Sequence, residues 1–253
     1  MKTKIVTALL TVVFWNLTGA PARAQTPPRL YLATEPPAYA PRAGEPAADI
    51  GSDMMREVMR RAAIDYTIDL LPWKRAYTAA LERPDACVYA TTRTPERERQ
   101  FKWAGPIATA DWVLMARADR KFKLRSLEDA RPYRIGTYHG DARDQFLRAR
   151  GFDVDPASDD QTNPRKLLMG RIDLWAASLG LNSRQTLARL GYTDKVVPVL
   201  VFNRIQAYLA CNRAVPDRLV AQMNAALEAM ERDGTAGRIR RKYDSQAGQT
   251  ARR

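Results

Sequence analysis

Histidine occurs once in the 253 residues, at position 139, and cysteine twice, at 87 and 211. One imidazole and two distant thiols offer no ligand spacing, so neither a metal centre nor a cofactor is expected. His139, Asp141 and Ser178 are the residue types of a hydrolase triad, but no Gly-x-Ser-x-Gly elbow surrounds Ser178 and Asp141 stands only two residues from His139. Long hydrophobic runs are scarce too. Beyond Ile5 to Trp15, nothing approaches the roughly 18 continuous apolar residues of a membrane span. Acidic residues fall short of basic ones, 28 against 41, leaving a formal charge of +13.

What is present is ordinary globular composition, 45% hydrophobic and 27% charged, enough for one large core or two modest ones. Residues 1–24 differ from the rest. Lys2 and Lys4 precede the apolar run, and Ala22-Arg23-Ala24 supplies small residues for cleavage after Ala24, so this is read as a signal peptide. No cysteine follows the run, which disfavours a lipid anchor. A soluble periplasmic protein starting at Gln25 is expected, its charge lowered by the loss of Lys2, Lys4 and Arg23. A basic exported surface suits an acidic ligand, an anionic envelope surface or solubility alone. Nucleic acid is not expected as a partner, because the protein is exported and its basic residues are scattered apart from Arg238 to Lys242 and the Arg252-Arg253 end. Cys87 and Cys211 each lie in an apolar, strand-like run. A bridge between them or two buried thiols both fit; a bridge would close a very long loop and add a few kcal/mol, roughly, in the chain-entropy model.

Along the chain, strands and helices alternate. Arg29 to Thr34 reads as a strand, followed by a stiff proline-rich loop. From Ser52, Met54, Met55, Val58, Met59 and Ala62 recur at helical spacing. Tyr66 to Leu71 is a strand and Pro72-Trp73 opens a helix. After a strand at Trp112 to Ala116, strands at 133–137, 152–154, 172–177 and 196–201 alternate with helices at 142–150, 163–170 and 183–190. A strand at Gln206 to Cys211 and a helix from Pro216, with Leu219, Met223, Leu227 and Met230 on one face, complete the order. This specifies α/β layers with a largely parallel sheet, whose binding sites lie beyond the carboxyl ends of the strands. Residues 244–253 are polar and small, and are expected to be disordered.

The most informative stretch is Asp85 to Arg99. Cys87 to Ala90 reads as a buried strand, and Thr94, Pro95, Glu96 and Glu98 carry the signs of a helix amino end. Such a junction offers free N–H groups to an anion, with the hydroxyls of Thr91 and Thr92 beside it and the planar fork of Arg97 one turn in. A plainer reading pairs Arg97 with Glu96 or Glu98 on a solvated face.

A buried strand, small polar residues, Thr94-Pro95-Glu96-Arg97 and then Phe101-Lys102-Trp103-Ala104-Gly105-Pro106 resemble the signature region of the periplasmic solute-binding proteins of the polar amino acid type, family 3. The Asp233-Gly234-Thr235 and Lys242-Tyr243 pairing near the end is similar as well. The resemblance implies a two-lobe, type II periplasmic binding fold: residues 25–111 and 206–243 in one lobe, 112–205 in the other, each a mostly parallel sheet flanked by helices, with hinge crossings near 110–112 and 204–206. It also implies that the strands holding Cys87 and Cys211 are neighbours. Arg97 would hold a ligand carboxylate, with Thr91, Thr92 and Thr94 around it, Glu35 and Tyr39 reaching in from the first loop and Trp73 walling the pocket. The implied function is non-enzymatic: a monomeric protein captures a small carboxylate-bearing solute, an amino acid or organic acid, for a membrane permease of the ABC type. Two alternatives stand beside it: a cyclohexadienyl or arogenate dehydratase, which resembles these binders, and a ligand-presenting module for a chemoreceptor or sensor kinase, which the sequence does not distinguish from transport.

The sequence departs from that pattern at three places. Ser178 stands where amino-acid binders carry a carboxylate for the ligand's ammonium. The loop Tyr138-His139-Gly140-Asp141-Ala142 replaces the usual hydroxyl residues, making His139 and Asp141 candidate contacts. Arg93 replaces an apolar residue and could add a second guanidinium for a diacid. Either Asp141 or Glu35 supplies the missing charge, or the ligand is not an ordinary α-amino acid.

Overall fold

The computed structural model describes residues 29–36, 49–179 and 181–250; the leader, Tyr39 and most of the proline-rich loop lie outside the described residues. The chain runs β1 (Leu30–Thr34), α1 (Ile50–Ala62), β2 (Tyr66–Leu70), α2 (Trp73–Glu82), β3 (Ala86–Thr92), β4 (Lys102–Arg117), β5 (Ile135–Tyr138), α3 (Ala142–Ala149), β6 (Val154–Ala157), α4 (Asn163–Leu168), β7 (Leu174–Leu179), α5 (Leu181–Arg189), β8 (Val196–Cys211), α6 (Asp217–Arg232) and α7 (Thr235–Thr250).

One eight-stranded sheet, ordered β2-β1-β3-β8-β4-β7-β5-β6, links two lobes. The outer pairs β1/β2, β1/β3, β5/β6 and β5/β7 are parallel, as α/β alternation requires. The centre is antiparallel: β4 and β8, 16 residues each, pair from Lys102↔Cys211 to Arg117↔Val196. β3 lies against the last part of β8 and β7 against the second half of β4, so these two long strands pass from one lobe into the other. The two strands expected at 196–201 and 206–211 are therefore one. Register shifts at Ala104/Ala108 and Trp112/Val113 absorb the bend that two separately packed lobes impose on it.

Local sequence explains the helices. In α1, Met54, Met55, Val58, Met59 and Ala62 are all buried, at about 1.5–3 kcal/mol for each large side chain, while Arg60 turns outward to Glu57 at 2.7 Å. The helix starts before Ser52 because the Asp49 carboxylate accepts the Ser52 N–H at 3.0 Å. Leu219, Met223, Leu227 and Met230 of α6 share that core with α1, and α2 covers the other face of the same sheet through Trp73, Ala76 and Ala80. The second lobe buries Val113, Leu167, Ile172 and Trp175 on one side and Leu114, Ile135, Leu147 and Phe152 on the other. The strand expected at 152–154 runs instead from Val154 to Ala157, with Phe152 turned into the core. The backbone of α7 is helical to Thr250, where disorder had been expected from 244.

Cys87 and Cys211 are directly opposed across β3 and β8, with Cα atoms 3.9 Å apart, and form a disulfide. The two alternatives left open by the sequence resolve to the bridge, which closes a loop spanning 124 positions. Replacing both cysteines by alanine is expected to lower the unfolding free energy by about 2–5 kcal/mol. Urea melts of the variant and of the oxidised parent check this.

Candidate functional site

β3 ends in a bulge. Ala90 has φ +58°, the register against β8 shifts between Val88 and Thr91, and the Thr91 hydroxyl donates to Val88 O at 3.1 Å. Bulges re-aim the chain at a strand end, and here the re-aimed segment carries Arg97. The helix expected from Thr94 is not formed. Residues 95–97 make a turn, closed by Arg97 N–H to Thr94 O at 3.0 Å, and a single 3₁₀ turn, Glu98–Gln100, follows. The link must reach β4 by Lys102, which leaves no length for an α-helix, so the helix-dipole anion site inferred from the sequence falls away. The arginine itself turns inward.

Arg97 is 2% exposed. Its Nη2 donates to Gly140 O and to Gln145 Oε1, both at 3.1 Å, and its Nη1 to Thr92 O at 3.5 Å. Nε is buried without a partner. The guanidinium carbon sits 4.9 Å from the Tyr77 ring centre and 6.0 Å from that of Trp73. Neither Glu96 nor Glu98 neutralises it: among the described residues every hydrogen bond it makes goes to an uncharged oxygen. Burial accordingly pushes its pKa down, with Tyr77, Asp141 and Glu96 opposing. A buried guanidinium lined by rings, with an unused N–H edge, is chemically a receptor for a carboxylate.

The second lobe supplies the facing wall. Gly140, at φ +75°, turns the chain from β5 into α3, and Asp141 caps that helix by accepting Arg143 N–H at 2.7 Å. The Tyr138 hydroxyl accepts Trp73 N–H at 3.2 Å and bonds the Glu35 carboxyl, while Trp73 Nε1 donates to Gly140 O at 3.1 Å. Glu35, Trp73 and Arg97 of one lobe thus meet Tyr138, Gly140 and Gln145 of the other. Burial raises the Glu35 pKa to about 7; the bond from Tyr138 pulls it down, and Asp160 and Asp141 add to the rise. Asp141 would also be raised by burial, but the charge and hydrogen bonds of Arg143 outweigh this and hold it below the usual range.

The other expected contacts divide. Thr92 is half-buried and offers its carbonyl to Arg97, and the Thr91 hydroxyl is spent within β3, whereas the Thr94 hydroxyl is buried with no hydrogen-bond partner among the described residues. Arg93 is exposed, paired bidentately with Glu98 at 2.6 and 2.7 Å and set over the rings of Trp103 and Tyr208. It therefore adds no second guanidinium beside Arg97. His139 is exposed. Ser178 is half-buried on β7 opposite Trp112, and its carbonyl accepts the Ser183 hydroxyl. Sequence reasoning missed Tyr77, Tyr138, Gln145, Arg143 and Asp160. The first two were visible as aromatics at a helix start and a strand end; the others reach the site through contacts that no local pattern announces.

The sequence model of the bacterial extracellular solute-binding proteins, family 3, matches residues 34–246. The chain belongs to that family. No curated protein matches it in sequence. Among solved structures it is similar to a histidine kinase sensor domain with similarity to periplasmic binding proteins, at 18% identity and TM-score 0.77 over 86% of this chain and 96% of that one. It is also similar to a mutant of ArgBP from T. maritima, at 19% identity and TM-score 0.73 over 86% and 96%. A third is the GluR0 ligand-binding core from Nostoc punctiforme in complex with L-glutamate, at 19% identity and TM-score 0.72 over 85% and 98%. The shared property is the two-lobe type II binding-protein fold. No helix among the described residues is long and apolar enough to cross a membrane.

Because Glu35 holds its proton more tightly in the folded protein than at the ordinary 4.5, folding is penalised as pH rises from about 4.5 to about 7, and the penalty is complete above that. Glu35→Gln is expected to flatten the fall in melting temperature across this window. Thermal melts at pH 5 and pH 7.5 measure it.

Proposed function

We propose that this family 3 protein is an exported, non-enzymatic receptor that captures a small carboxylate-bearing solute between its lobes and delivers it to a membrane permease of the ABC type. The observation that carries the reading is Arg97: a fully buried guanidinium at the lobe junction, bonded only to uncharged oxygens, with Nε unpartnered. A carboxylate bound there gains charge-assisted bonds and relieves the desolvated charge, and Gly140 O and Gln145 Oε1 are the groups it would displace. Trp73 and Tyr77 wall the pocket, Thr92 lies beside it, and Glu35 faces it.

Capture and release work through hinge motion of β4 and β8 near residues 110–112 and 204–206, where Asp111 and Arg204 pair at 2.8 Å. The lobes are then 25–111 with 206–243, and 112–205. Export is supported by the leader sequence, with cleavage after Ala24, and by the disulfide, which suits an oxidising compartment such as the periplasm. Similarity to a sensor domain favours a second partner class: the same closure could be read by a receptor kinase instead of a permease.

Arg97→Ala is expected to weaken binding of any carboxylate ligand by about thirtyfold or more, since removing one partner of a buried charge pair costs about 2–5 kcal/mol. Arg97→Lys keeps the charge but loses the fork, and should retain part of the affinity. Titration calorimetry against a panel of amino acids and organic acids measures both. Unchanged affinity in Arg97→Ala removes the anchor.

A further inference from the structure

Glu35 directly follows β1 and belongs to the first lobe, yet its carboxyl bonds the hydroxyl of Tyr138 at the end of β5 in the second. That hydroxyl is buried and accepts Trp73 N–H at 3.2 Å, so its single proton is free to go to Glu35. Around this contact Trp73 Nε1 reaches Gly140 O, and Arg97 Nη2 reaches Gly140 O and Gln145 Oε1, all at 3.1 Å. Of the groups that join the lobes here, Glu35 is the one that titrates near neutral pH.

The charges that face it are mostly of its own sign. Asp141, at the start of α3, and Asp160, between β6 and α4, are carboxylates of the opposite lobe. Arg143 is the one guanidinium between them, its Nε 2.7 Å from Asp141 Oδ1 and its Nη2 3.0 Å from Asp160 Oδ2. At Glu35 the fields of Asp160 and of Asp141 each outweigh that of Arg143, so the wall stays net negative. Asp159 is exposed and acts on Tyr138, and Arg97 bears on Asp141. In the shut cleft an ionised Glu35 is therefore desolvated and repelled across the lobe boundary, with the Tyr138 bond as the main offset. Parting the lobes returns the carboxyl to water and carries Asp141 and Asp160 away from it.

We infer that Glu35 and Tyr138 form a proton-operated latch between the lobes: a proton on Glu35 keeps the cleft shut, and its loss sets Glu35 against Asp141 and Asp160 and lets the lobes part. This rests on the hinge motion proposed above and not on Arg97 as an anchor. The sign follows from linkage. Closing raises the affinity of Glu35 for its proton, so closure is favoured most below about 4.5, weakens as pH rises to about 7 and is level above that. One proton limits the change to about tenfold per pH unit.

The test measures the distance between nitroxide labels on Lys74→Cys, in the first turn of α2, and Ser158→Cys, just after β6; both positions are exposed, and the disulfide cysteines, 0% exposed, take no label. Electron double resonance of the labelled protein, without added solute, is expected to show a short and a long distance, with the ratio of short to long falling by about tenfold or more from pH 5 to pH 8. In Glu35→Gln, a neutral side chain of the same shape, the short distance should dominate at both. Tyr138→Phe removes the bond that favours the ionised carboxyl, and should move the midpoint of the change to higher pH; it carries the test if Glu35→Gln does not fold. Two distances whose ratio ignores pH, or a pH response that persists in Glu35→Gln or is unmoved in Tyr138→Phe, overturn the latch and leave the hinge standing. A single distance at every pH in all three proteins overturns the hinge and the latch with it.

Discussion

The pairing of β4 with β8 is the constraint that the rest of the molecule is built upon. Each strand serves two cores at once, so residues at its ends are packed for one lobe and residues at its other end for the second. Everything that touches the cleft hangs from this pair: β3, leading to Arg97, is hydrogen-bonded to β8, and β7 is hydrogen-bonded to β4. A rigid ladder at each end with bulged register between is a mechanical description of a hinge, in which bending costs little because the irregular pairs carry the deformation.

Charge in the cleft is arranged in two different ways. On one side Arg97 is desolvated and held by neutral oxygens and aromatic rings. On the other, Arg143 lies between Asp141 and Asp160 and is satisfied by them. The first arrangement leaves electrostatic energy to be recovered by a bound anion, whereas the second, one guanidinium between two carboxylates, keeps a net negative charge. Glu35, bonded to Tyr138 and within the fields of Asp160, Asp141 and Arg143, is the group whose protonation changes near neutral pH.

Much of this was legible in the sequence, because the periodicities involved are local. The apolar stripe of α1 and the alternation of strands and helices follow from spacing within a short window, whereas the inward guanidinium at 97 was implied only by the family resemblance, since the residues alone left a solvated pairing with Glu96 or Glu98 open. The helix assigned after Thr94 failed for an instructive reason. Threonine followed by proline and acidic residues suits a turn as well as a helix start, and only the nearby beginning of β4 decides between them. Arg143 stayed hidden because Ala142-Arg143-Asp144-Gln145 reads as a solvated helix face, while its partners Asp160 and Ala176 lie 17 and 33 positions away. Arg93 was misplaced since two arginines four positions apart look equivalent in one dimension, whereas the turn at 95–97 sends them different ways and Glu98 holds Arg93 outside.

The position of β8 has a consequence for how the molecule comes into being. It is the last strand made, yet in the sheet of the first lobe it lies between β3 and β4. A nascent chain can synthesise every earlier strand of that lobe and still have a gap at the middle of the sheet, which closes only once Cys211 has emerged to meet Cys87. Completion of this half of the sheet is thereby deferred until β8 has been made.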